Sequence, residues 1–310
     1  MVLWLTAALS AVGLAVASNV RGETERTETH VDDTRAYFVA RGAIQQAALH
    51  VLWGSGYRTD DGRPMYYVNG NPSMNLSFPA GEVDMEVIPE TSKLNVNGSP
   101  PADILRLLLA LGTPEDAATE ITSAIVDWRT RPDELHPSPF DSFYLSQSPS
   151  FVPLHASFQE NEELLLIKGM TAELYYGNSL DGSRPGLRDC LSVYGSTYSV
   201  DINTSQRPTL EAVGIDAADA DTIVSSRARH PVLDYKELRG IADSIGPAGR
   251  RLMIGGRSMF TLRATARLRQ PDGKLSDLRR TVAALVKFYF PGNTEHKPVK
   301  FEVVRWFDRA

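Results

Sequence analysis

Cysteine is nearly absent. Among 310 residues there is one, Cys190, so no intrachain disulfide can form and an oxidising compartment is neither required nor excluded. Lying between Asp189 and Leu191, it reads as a small buried hydrophobe rather than a nucleophile. Metal patterns are missing as well. The six histidines are scattered, none has ligand spacing with another, and there is no His-Glu-x-x-His run. No glycine-rich phosphate loop occurs, and Gly54-Ser55-Gly56 is not the Gly-x-Ser-x-Gly of a nucleophile elbow. These absences argue against an enzyme. Positive charge is in deficit, with 32 Lys and Arg against 38 Asp and Glu and a net charge of −6, which argues against a nucleic-acid partner.

Long apolar runs are scarce too, and the main exception is at the very start. Met1 to Ser18 carries no charge, and as a helix it spans about 27 Å, close to the hydrocarbon thickness of a bilayer. Ala15-Val16-Ala17 resembles a signal-cleavage site, but the basic region that precedes such a site is absent. A membrane anchor fits better, with Leu3, Trp4, Leu5, Leu9 and Leu14 as its lipid-facing residues. Leu3 and Trp4 so close to Met1 point to a start further upstream, with a basic leader. No proline interrupts the stretch to Trp53, so one helix of about fifty residues is expected. Val31, Phe38, Ala48 and Leu52 form its expected apolar stripe, flanked by Tyr37, Ile44 and Val51.

Beyond Gly54 the texture is β, then α, then β. Met65–Val68 leans towards strand, and Glu82–Ile88 alternates as a half-buried strand. Helices are expected over Ala102–Leu111 and from Pro114 to Trp128, with a further helix or helical turn over Leu164–Tyr176; Arg131 to Pro153, rich in proline, reads as a strap across them. Alternation returns at Met259–Leu268, Val282–Phe290 and Phe301–Trp306, which with Glu82–Ile88 makes a small antiparallel sheet. One face of it should pack on the helix around Tyr37–Trp53. Asp181-Gly182 with Asp189 is a conceivable cation site, read more simply as a solvated turn.

The helical middle contains a repeat. Leu94-Asn95-Val96-Asn97 recurs as Val200-Asp201-Ile202-Asn203. Each is followed by an apolar helix, a glycine turn (Leu111-Gly112; Val213-Gly214), and an acidic helix ending in Arg129 or Arg227. Two helix–hairpin–helix units are the economical reading, and they raise DNA binding as an alternative function. Against it, neither hairpin has the Gly-x-Gly that brings backbone amides to a phosphate.

Several blocks resemble one family, the type II secretion minor pseudopilin K (general secretion pathway protein K). They are Val2-Leu3-Trp4-Leu5, Asp33-Thr34-Arg35-Ala36, Ile125-Val126-Asp127-Trp128-Arg129 and Phe143-Tyr144-Leu145. The most specific is Lys168-Gly169-Met170-Thr171-Ala172-Glu173-Leu174-Tyr175, followed by Leu191-Ser192-Val193-Tyr194-Gly195 and Val200-Asp201-Ile202-Asn203-Thr204. The resemblance implies an α+β fold: a pilin-like long N-terminal helix on a small antiparallel sheet, interrupted by a large inserted all-α domain. The expected division is 1–18 in the membrane, 19–53 as the periplasmic half of the helix, 54–99 with 250–310 as the α/β domain, and 100–249 as the insertion. It further implies a non-catalytic cap at the tip of a secretion pseudopilus, held in the inner membrane with its bulk in the periplasm. Minor pseudopilins I and J are the implied partners, with Phe38, Ile44 and Val51 as candidate contacts. No cofactor is required by the residues; calcium is known among relatives, and no ligands for it are carried over. Such subunits usually place a glutamate at the fifth mature position, which this family typically lacks; here no carboxylate precedes Glu23.

Overall fold

The computed structural model describes residues 2–54, 56–133, 137–177, 184–256, 258–289 and 300–308. From the N-terminus come helix α1 (Val2–Trp53) and strands β1 (Ser73–Phe78) and β2 (Gly81–Pro89). A 3-10 turn, Glu90–Ser92, opens a long excursion: β3 (Leu94–Asn95), α2 (Pro101–Ala110), α3 (Glu115–Trp128), α4 (Asp141–Leu145), a 3-10 segment (Asn161–Leu166) and α5 (Ala172–Tyr176). It continues through α6 (Leu187–Cys190), β4 (Leu191–Ser192), β5 (Val200–Asp201), α7 (Arg207–Ala212), α8 (Ala217–Arg227), α9 (Tyr235–Ile245) and β6 (Leu252–Met253). The chain then returns through β7 (Met259–Leu268), β8 (Arg280–Tyr289) and β9 (Lys300–Phe307).

The five long strands form one antiparallel sheet in the order β1-β2-β7-β8-β9. Alternation explains its two faces. Val83, Met85 and Val87 of β2 and Phe260, Leu262 and Ala264 of β7 point inward, while Glu82, Asp84 and Glu86 point out. α1 lies on the inner face through Ala36, Ala40, Ala43, Ile44, Ala47 and Val51. Alanine at spacings of three and four lets the helix backbone come close to the sheet. The helix stops at Gly54, where any side chain would run into the Tyr67 carbonyl.

Three expectations are corrected here. The large apolar residues Val31 and Phe38 are not on the sheet side; they lie on the opposite face of α1 from the alanine stripe. Met65–Val68 is not a strand, and the first strand is instead Ser73–Phe78, whose polar alternation hides it. The segment Leu164–Tyr176 is split between the end of a 3-10 turn and the short α5.

The excursion has its own core, separate from the one under the sheet, built around Leu107, Leu108, Ile121, Ile125, Trp128 and Tyr144. Trp128 stacks on Phe158 at 5.8 Å and meets Tyr144 edge-on at 5.6 Å, beneath the strap that begins at Arg131. Inside this core the sequence repeat becomes a structural one. α2–α3 and α7–α8 are helix–turn–helix units entered through Asn97 and Asn203. Asn97 pairs both ways with the backbone of Phe158 (3.0 and 2.7 Å), and Asn203 does the same with Val232 (2.7 and 2.8 Å). The closing arginines match too. Arg129 donates to the carbonyls of Val96 and Ser99, and Arg227 to those of Ile202 and Ser205. Both turns pass through a left-handed glycine, Gly112 at φ +82° and Gly214 at φ +94°.

The two cores meet at a polar joint. Glu90, 2% exposed, accepts from Ser192 Oγ (2.6 Å) on the excursion side and from Thr261 Oγ1 (2.7 Å) on β7. Asp201 accepts from the Gly255 amide at 2.6 Å, Thr91 Oγ1 donates to the Gly255 carbonyl at 2.9 Å, and Asn203 reaches the Gly70 carbonyl at 2.9 Å. Burial raises the Asp201 pKa, against the lowering effect of the Thr204 hydroxyl and the Gly255 amide. The joint lies where α1 ends. The opposite end of the sheet touches α1 near its middle, through Asp33–Arg280 (3.5 Å) and Tyr37–Asp308 (2.9 Å).

Candidate partner-binding face

With the alanine stripe against the sheet, residues two apart on α1 differ by about 200° around the helix. Ala36 is fully buried, and Phe38 is 64% exposed. Val31, one heptad earlier, is also exposed, and Gly42 and Gln45 continue the same open side. A Cβ at Gly42 would meet nothing within 4 Å, so the surface there is low and accessible to a second helix. Phe38 leans edge-on against Tyr37 at 5.4 Å. Tyr37 is itself held by Asp308, and Arg41 sits 4.1 Å over the Trp306 ring, so the end of the chain braces the helix without covering Phe38.

Of the candidate contacts, then, Phe38 alone presents surface. Ile44 and Val51 are 0% and 6% exposed and belong to the core between α1 and the sheet. Large apolar side chains drew the expected stripe, whereas the buried stripe is mostly alanine.

The N-terminal half of α1 leaves the sheet altogether. Trp4, Leu9 and Leu14 of the expected anchor are exposed, as are Val12, Val16 and Val20. The side chains of Leu3 and Leu5 lie outside the described residues. Among the described residues no helix is long and apolar enough to cross a membrane. Further along, Glu23–Arg26 (2.9 Å) and Asp32–Arg35 (3.4 Å) are exposed pairs of the kind that add little stability.

The other sites considered from sequence fare differently. Cys190 is buried, and burial pushes its thiol up to about 12, which leaves it unreactive. Asp189 accepts from the Gly186 amide at 2.9 Å and so starts the short α6. Asp181 and Gly182 lie outside the described residues. Among the described residues no group of three or more His, Cys, Asp or Glu is placed to hold a metal. The hairpin turns spend their amides internally. Gly112 and Thr113 donate to Leu109 and Leu108, Gly214 and Ile215 to Glu211 and Leu210, and Glu115, Asp116 and Asp219 charge the first turns that follow.

The geometry is thus a helix half bare and half packed on an antiparallel sheet, with a helical excursion joined beyond the packed end. Residues 91–177, the first part of that excursion, match the family of type II secretion system (T2SS) protein K. The whole fold is similar to a chain in the crystal structure of the GspK-GspI-GspJ complex from the enterotoxigenic Escherichia coli type 2 secretion system. The likeness has a TM-score of 0.52 at 17% identity, over 91% of this chain and 98% of that one, and is one of fold. No curated protein matches the sequence. The family match over residues 91–177 is to type II secretion system protein K, and the structural likeness adds the fold alone.

Proposed function

We propose that this chain is the non-catalytic cap of a type II secretion pseudopilus, assembled with minor pseudopilins I and J and serving protein export across the outer membrane. Residues 1–18 hold it in the inner membrane and the remainder stands in the periplasm. Residues 54–99 with 250–310 act as the pseudopilin domain, and 100–249 as a separable insertion. The observation that carries the reading is an asymmetry. The bare half of α1 leaves the sheet at one end, and the insertion is joined at the other, where α1 finishes. A subunit of that shape can sit on a bundle of helices, and its bulk stands where the next subunit above would go. The GspK-GspI-GspJ complex is a precedent for such an assembly.

Phe38→Cys and Val31→Cys test this by cross-linking in cells. Cap function predicts bonds to minor pseudopilins and one copy of this chain per filament. Ladders of self-cross-linked chains would instead make it a repeating shaft subunit. DNA binding, the alternative raised by the repeat, is not supported, since the turn amides that would meet phosphate are already bonded and stand beside acids.

A further inference from the structure

The strap over the insertion's aromatic core is fastened just beyond Pro153 by a histidine. His155 stands at φ +44°, the left-handed region that non-glycine residues rarely adopt, and its ring turns back towards the end of α3. Nδ1 lies 3.2 Å from the Asp127 carbonyl oxygen and 4.0 Å from Asp127 Oδ2. Nε2 lies 2.8 Å from Asp141 Oδ1, at the start of α4. The ring is 11% exposed. Both nitrogens therefore face oxygens that only accept. A neutral imidazole has a single N–H and would turn a lone pair on one of those oxygens; the doubly protonated ring donates to both.

We propose that His155 is a pH latch: as imidazolium it ties the strap to α3 and α4, and on losing a proton it lets the strap loosen. The surrounding charges agree. Asp127 of α3 and Asp141 of α4 are the acids facing the ring. Ser138 Oγ donates to Asp127 Oδ2 at 2.8 Å, so the near part of the strap is bound to the same carboxylate. The Lys168 amide donates to the Tyr144 hydroxyl oxygen of α4. The Lys168 ammonium lies over Phe140 and Phe143, each at 5.5 Å, and is neutralised by Glu120 at 2.7 Å. Burial by itself lowers the His155 pKa. The Asp141 hydrogen bond, the Asp127 carbonyl and the charges of both carboxylates outweigh it, leaving the pKa above its usual 6.5.

The sign follows. A group whose folded pKa is raised contributes fully below its unfolded value, about 6.5 for histidine, and the contribution is lost as pH rises through the folded value. The strap is thus closed on the acid side and loosened on the alkaline side, where Trp128, Phe151 and Phe158 gain access to water. This goes beyond the cap reading and does not depend on it, because the latch is made within one chain.

Hydrogen exchange of the full chain in detergent micelles, read by mass spectrometry from about pH 5.5 to 8.5 and corrected for intrinsic rates, tests the latch. A His136→Gln background removes the histidine nearest in sequence from the titration. The expected result is a loss of protection over residues 137–157 as pH rises, with α7–α9 unchanged. His155→Gln should abolish the step, and Asp141→Asn should shift it to lower pH. Flat protection in the background protein, or a step that survives His155→Gln, overturns the proposal. If His155→Gln does not fold, an unshifted step in Asp141→Asn overturns it equally.

Discussion

Arg227 shows how a single residue closes a structural unit. Its guanidinium satisfies two carbonyls at the entrance to α7, with bonds of 2.7 and 2.6 Å. Burial lowers its pKa, and the nearby Asp201 charge works the other way. Arg227→Ala should cost about 1.5–3 kcal/mol, because a charged donor is lost and two carbonyls are left short of a partner. Arg227→Lys should recover little of that, since an ammonium cannot span both oxygens. Thermal unfolding of the three proteins side by side checks the order. In the sequence, the paired arginines and paired asparagines were visible as recurring letters. Their role was not, because the arginine lies 33 residues from its carbonyl partner Val96 in the first unit and 25 from Ile202 in the second. Equal function at unequal spacing is legible only in three dimensions.

Among the elements, α1 is the most informative. Its length could be read directly, from the lack of proline and the glycines after Trp53. Its facing could not, since alanine carries so weak a hydrophobic signal that the true buried stripe was outvoted by exposed Val31 and Phe38. The two faces predict opposite outcomes. Ala43→Leu puts a large side chain into a fully packed contact and should destabilise the fold by about 1–3 kcal/mol, seen as an earlier denaturant midpoint. Phe38→Ala should move stability by no more than about 0.5 kcal/mol, yet weaken capture of minor pseudopilins in a pull-down. For the bare half, Leu9→Arg and Leu14→Arg should each cost about 2.5–3.5 kcal/mol at a membrane centre and shift the protein from the membrane fraction to the soluble one. The strands divide similarly. β2 and β7 alternate cleanly and were legible, while β1 (Ser73–Phe78) is a polar edge and was not.

At the scale of the molecule, the two cores share no residue and meet at a polar joint. Replacing residues 100–249 by a short linker should leave a remnant with sheet-like circular dichroism and cooperative unfolding. Its midpoint should be lower, because Glu90 and the Gly70 carbonyl lose partners. A remnant without cooperative unfolding would mean that the cores depend on each other. The change from alternating to helical texture between β2 and β7 was legible in the sequence, whereas the joint, made of isolated polar residues far apart in the chain, left no pattern to find. The order of the chain has one more consequence, and it concerns time. The alanine face of α1 is made well before its main cover, β7 and β8. About 200 residues separate them, which at roughly 5–20 residues per second is on the order of 10–40 s of synthesis. During that interval the helix is complete and only β1 and β2 of its cover exist. A newborn chain is therefore most exposed to proteolysis or wrong pairing along the very stripe that is best protected in the finished protein, and a nonsense codon anywhere before Met259 would leave it so.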